Sequence, residues 1–119
     1  MEINDPSRPA RAEADKFGPI RKGLLELAVL QVISVKKVYA ANILETLKST
    51  EFATQEGTLY PLLSRLRQDG AVDYEWVESE AGPPRKYYHL TEKGAIQLGL
   101  LNDYWKKIDK TIINLGKNL

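Results

Sequence analysis

Thr54-Gln55-Glu56-Gly57-Thr58-Leu59-Tyr60-Pro61-Leu62-Leu63-Ser64-Arg65-Leu66-Arg67-Gln68-Asp69-Gly70 reads as a helix with two unlike faces. Leu59, Leu62, Leu63 and Leu66 recur at helical spacing and predict an inward face, while Gln55, Glu56, Thr58, Tyr60, Ser64, Arg65, Arg67 and Gln68 stay outside. Thr54 is a candidate N-cap and Gly70 a candidate terminator. Pro61 lacks an N–H and crowds the carbonyl of residue 57, so the helix either starts nearer Gly57 or bends. The outer face carries hydroxyls, an amide and two guanidinium groups, which suit phosphate oxygens and base edges. Taken alone, that face also fits an ordinary solvated helix.

Downstream, Ala71 to Glu78 alternates Val72, Tyr74 and Trp76 with acids, the period of a half-buried strand. After Ser79 to Pro84, the segment Arg85 to Leu90 predicts the returning strand of a hairpin with a charged, proline-stiffened tip. For most of Tyr74, Trp76, Tyr87 and Tyr88 the expected role is cross-strand packing onto the preceding helix, with stacking on nucleic acid as the alternative. In an ordinary solvated tip, Glu78 and Glu80 would pair with Arg85 and Lys86.

Upstream, Lys22 to Val35 is apolar almost all round, as expected of a central helix buried on most sides. Lys36-Lys37 ends it, and a second helix from about Tyr39 to Ser49 is expected to bury Ala40, Ile43, Leu44 and Leu47. Residues 1–18 contain Pro6 and Pro9 and no apolar stripe, so they read as a flexible arm. Arg8, Arg11 and Lys16 would let such an arm lie along a phosphate backbone, but a plain frayed terminus is the preferred reading.

A final helix starts at Thr91 and runs to about Gly116, a span of about 37 Å. On it Leu98, Leu101, Trp105, Ile108, Ile112, Leu115 and Leu119 alternate spacings of three and four, which is a heptad seam. A helix this long outruns so small a body, and the later part of its stripe requires a second chain.

The 119 residues, 43% of them hydrophobic, suit one domain with a core. The absence of cysteine excludes disulfide frameworks, Cys-based zinc fingers and thiol nucleophiles, and one histidine makes no His-rich metal site. No apolar run approaches the roughly 20 residues of a membrane span, and Met1-Glu2-Ile3-Asn4-Asp5 is no secretory signal, so a cytoplasmic protein is expected. A net charge of +1 confines any nucleic-acid footprint to a local patch. Ser64 has no Gly-x-Ser-x-Gly setting and no Walker-type loop occurs, so neither enzymatic activity nor a cofactor is expected. His89 lacks a histidine or cysteine partner and reads as a hydrogen-bonded polar residue on the strand.

Two motifs then carry a resemblance. Glu56-Gly57-Thr58-Leu59-Tyr60-Pro61-Leu62-Leu63 with Arg65-Leu66 and Asp69-Gly70, followed by Gly82-Pro83-Pro84-Arg85-Lys86-Tyr87-Tyr88 and Leu90-Thr91-Glu92-Lys93-Gly94, resembles the PadR family of bacterial transcriptional regulators. The likeness covers about Lys22 to the C-terminus, and the single last helix is similar to the small branch that includes multidrug-binding repressors. It implies a mainly α fold with a small β-hairpin: a winged helix-turn-helix over 19–90 and a dimerisation helix over 91–119.

The resemblance further implies a homodimer that presents two copies of the 56–69 helix to successive major grooves of an inverted-repeat operator. Tyr39, Thr58, Tyr60 and Arg65 would face bases or phosphates, and Arg85 and Lys86 of the wing would face phosphates. Leu98, Leu101, Trp105, Ile108, Ile112 and Leu115 would form the dimer interface. Trp105, flanked by Leu101 and Ile108, would either fill that interface or stack a planar aromatic effector between subunits. Two departures stand out: Ala40-Ala41 replaces a Gly-Tyr pair common in the family, and His89 stands where Arg is frequent. A rival reading keeps the dimer but turns Tyr60 and its neighbours toward a protein partner.

Overall fold

The computed structural model describes residues 11–117. Its elements follow in the order α1 (Arg11–Val35), α2 (Ala40–Leu47), α3 (Glu56–Gln68), β1 (Val72–Ser79), β2 (Gly82–Leu90) and α4 (Glu92–Lys117). This is a mainly helical winged helix-turn-helix with a two-stranded antiparallel hairpin and a long last helix.

α1 begins at Arg11 and continues through Gly18 and Pro19, so residues 11–18 of the expected arm are helical. Pro19 withholds an N–H from the carbonyl of residue 15, but it lies at an exposed end where solvent can satisfy that group. Pro6, Arg8 and Pro9 lie outside the described residues. α1 is also less enclosed than its composition suggests: Val29, Leu30 and Ile33 are buried, whereas Leu24, Leu25, Leu27 and Ala28 are half-covered.

The core forms where α1, α2 and α3 converge. Leu30, Ile43, Leu59, Leu63 and Leu66 have no exposed surface, and each contributes about 1.5–3 kcal/mol of burial free energy. Leu44 and Leu62, expected inside, sit half-covered at its rim.

Gln55, in extended conformation, caps α3 in place of Thr54, and the start at Glu56 brings Pro61 into the second turn. At the other end, the Ala71 amide donates to the Leu66 carbonyl (2.9 Å) and the Gly70 amide to the Arg67 carbonyl (3.0 Å). This paired closure needs a left-handed residue, supplied by Gly70 with φ of 80°.

β1 and β2 pair with Tyr74 opposite Tyr88, Trp76 opposite Lys86 and Val77 opposite Arg85. Pro83 and Pro84 belong to β2 rather than to the loop, and only Glu80 and Ala81 separate the strands. A hairpin of two strands has a free edge on each, where a missing N–H is tolerated. Val38, just after α1, exchanges two backbone bonds with Tyr88 (3.1 and 2.7 Å), which anchors the start of α2 against the hairpin.

α4 is sewn to the end of α3. Thr91 Oγ1 accepts the Gly94 amide (3.0 Å) and donates to the Gly70 carbonyl (2.5 Å), while the Thr91 amide donates to the Ala71 carbonyl (3.1 Å). Leu98, expected at a dimer interface, is buried in the chain's own core. Leu101 is half-covered against the same core. Beyond Ile108 the helix leaves the body entirely. The radius of gyration is 17.7 Å, against about 13.5 Å for a globular chain of this length.

Candidate nucleic-acid interface

A cleft runs between α3 and the hairpin. At its tip a cavity of about 510 Å³ is lined by Tyr39, Tyr60, Trp76, Pro84, Arg85 and Lys86, with Ala40, Ala41 and Tyr88 behind them. At its root a second cavity of about 510 Å³ lies beside Ser64, Arg67, Gln68, Asp73 and Tyr74. Lys86 and Tyr88 border both. The start of α2, the Tyr60, Ser64, Arg67 and Gln68 side of α3 and the wing therefore border this cleft, whereas Thr58 borders a separate cavity beside Gly18, Arg21 and Lys22 of α1.

The side chains of this cleft are ordered by cation–aromatic contacts. Arg85 lies 4.6 Å from the centre of the Tyr39 ring, which in turn meets Tyr87 edge-on at 5.3 Å. Lys86 Nζ lies 4.5 Å from Tyr74 and 5.5 Å from Trp76, and Arg67 lies 4.5 Å from Tyr74. Each such contact stabilises an exposed cation by about 0.5–1 kcal/mol. Arg85 and Lys86 thus rest on rings rather than on Glu78 and Glu80, unlike the cations of an ordinary solvated tip.

Trp76 stands apart from the other hairpin aromatics. Tyr88 is buried and Tyr74 half-covered, as a hairpin root requires, but Trp76 is 62% exposed. His89 departs too, since its Nδ1 is buried without a hydrogen-bond partner.

Of the sequence-predicted site residues on α3, Thr58 and Tyr60 are open to solvent, and Tyr60 reaches the cleft. Arg65 is drawn elsewhere: Nη2 contacts Glu26 Oε1 of α1 at 2.5 Å, and Nη1 lies 3.6 Å from Asp69. Glu26 Oε2 also accepts from Gln97 Nε2 of α4 (3.1 Å), so one carboxylate joins α1, α3 and α4. A signal for this contact is that Glu26 is the lone acid in an apolar run. A neighbouring bridge, Gln31 Nε2 to Asn102 Oδ1 at 2.8 Å, ties α4 to α1 again.

The acids of β1 are also held. Asp73 accepts from Arg67 Nε (3.1 Å) and from the Tyr74 amide (2.8 Å), and Glu75 pairs with Lys37. The Tyr74 amide, then Arg67, keep the Asp73 carboxyl below its ordinary pKa, and Lys37 does the same for Glu75. Burial raises the Tyr88 phenol.

On the opposite side, Trp105 lines a cavity of about 310 Å³ with Leu24, Leu27, Ala28, Phe52 and Asn102, between α1 and α4. Leu101 and Ile108 do not line it. Ile112 and Leu115 are 64% and 62% exposed. Among the described residues, no group of acids or histidine is placed to hold a metal, and no helix is long and apolar enough to cross a membrane.

Residues 29–100 match the transcriptional regulator PadR-like family. The fold is similar to a PadR-like transcription factor of Bacteroides fragilis, with 44% identity, a TM-score of 0.73, and coverage of 85% of this chain and 98% of that one. It is also similar to a PadR-like transcriptional regulator of Bacillus cereus, at 36% identity and a TM-score of 0.74 over 82% of this chain and 95% of that one. A PadR family regulator of Eggerthella lenta superposes with a TM-score of 0.81 at 26% identity, covering 88% and 92% of the two chains.

Proposed function

This chain belongs to the PadR-like family of transcriptional regulators, and from that premise we propose that it binds an inverted-repeat operator as a homodimer and acts as a ligand-responsive repressor. The observation that carries the dimer is the end of α4, where Ile112 and Leu115 stand exposed past the body that α4 is built on. Apolar side chains at heptad spacing bury themselves against a like helix, and a two-fold axis there sets two α3 helices a fixed distance apart. Ile108 joins that seam, and Trp105 borders it.

Thr58 and Tyr60 read the major groove, Tyr39 contacts the backbone at the start of α2, and Arg85 and Lys86 hold phosphates. Arg65 serves the same interface indirectly, by fixing α3 to α1 through Glu26. The effector is a planar aromatic compound stacked on Trp105, which lines a cavity between α1 and α4. Such a compound changes the angle of α4, hence the spacing of the reading heads, and lowers DNA affinity by binding the two states unequally.

Light scattering and a salt titration of duplex binding test this reading together. A dimer whose affinity falls steeply with salt supports it. A monomer would contradict the dimer, and binding indifferent to salt would favour the rival in which this face holds a protein.

A further inference from the structure

Trp76 is the large aromatic side chain on the wing that the fold leaves uncovered. Its neighbours on the same face of the hairpin are enclosed, Tyr88 buried and Tyr74 half-covered, whereas Trp76 is 62% exposed. The indole instead forms one wall of the tip cavity, with Pro84 beside it, Tyr60 of α3 among the opposing residues, and Lys86 Nζ 5.5 Å from its ring centre. Arg85 and Lys86 are both at this cavity, and no acid lines it. An apolar plate next to two cations, in a channel open to solvent, matches a ligand that is apolar along one edge and anionic along the other.

A sugar–phosphate strand has that character, and the docking geometry brings one here. When α3 occupies a major groove and the hairpin reaches the adjoining minor groove, the backbone that separates the two grooves passes between α3 and the hairpin. Resting on the DNA reading above, we infer that Trp76 packs against the deoxyribose of that strand, while Lys86, held over the Tyr74 and Trp76 rings, meets its phosphate. Trp76 is then a DNA-contacting residue whose contribution is non-ionic and independent of base sequence.

The single-tryptophan variant Trp105→Phe, mixed with a mixed-sequence duplex several turns long at low ionic strength, tests this. Acrylamide quenching of Trp76 is expected to drop when the duplex binds. Trp76→Ala is expected to weaken binding about tenfold, near the low end of aromatic contacts with nucleic acid, with an unchanged salt slope and an unchanged melting temperature. Lys86→Ala is instead expected to flatten the slope by about one unit. If the duplex binds while Trp76 stays equally quenchable and Trp76→Ala binds like the parent, the inference is overturned. If the parent chain binds no duplex at all, the DNA reading itself fails and takes this contact with it.

Discussion

Gly94 of α4 lies directly on the backbone of Ala71: a Cβ built on Gly94 would stand 1.8 Å from the Ala71 carbonyl oxygen and 2.8 Å from its carbon. The obstacle is main chain, fixed by the closure at the end of α3 and by Thr91, so neither side can yield. Gly94→Ala is expected to destabilise the fold by more than about 3 kcal/mol. Gly99→Ala, on the same helix with nothing within 4 Å, should stabilise by up to about 1 kcal/mol. Urea unfolding of the two variants checks the contrast, and equal midpoints would contradict this packing.

The Glu26–Arg65 pair crosses from α1 to α3 with Glu26 only 22% exposed. Its worth exceeds that of a free surface pair but is discounted for the 53% exposure of Arg65. Glu26→Gln and Arg65→Gln are each expected to cost about 1 kcal/mol, and a double-mutant cycle should return a coupling of about 0.5–1 kcal/mol. Strict additivity would mean the contact contributes nothing.

Asp73 and Glu75 predict an acid-sensitive wing. Their carboxyl pKa values are depressed in the folded chain, so their stabilisation is present above the ordinary carboxylate range and lost as pH falls through the lower folded values. The hairpin should loosen below about pH 4, seen as a change in Trp76 emission. Replacing both acids by their amides should flatten that acid limb; an unaltered limb would place the transition elsewhere.

Ile112→Lys combined with Leu115→Lys puts two charges into the proposed α4 seam. Both side chains are exposed in the single chain, so helix content by circular dichroism should not change. Light scattering should report a monomer, and duplex affinity should fall as the second reading head is lost. A variant that remains a dimer would move the interface to another face, such as the exposed Ile96, Leu100 and Tyr104.

Much of this was legible in the sequence, for physical reasons. Leu59, Leu63 and Leu66 repeat at helical spacing, Val72 and Tyr74 at strand spacing, and Gly70 stands where a left-handed residue must close a helix. What escaped were properties that depend on where an element ends relative to its neighbour. The alternation that contains Trp76 says which face of the strand it occupies, but not that it is left exposed there. Leu98 and Ile112 share one heptad pattern, yet the body covers the first and not the second. Arg65 shows the converse, since a cation on an outer face can be claimed by a carboxylate from a helix far away in sequence.

The central claim is that this fold reads DNA as a dimer, and retention of genomic fragments tests it most directly. Purified protein is mixed at moderate salt with fragmented genomic DNA from its source, and the retained fragments are sequenced. Enrichment of a few fragments that share an inverted repeat, with half-sites about one helical turn apart, is the predicted result. Failure to retain any fragment even at low salt would contradict it and leave the α3–wing face to a protein partner.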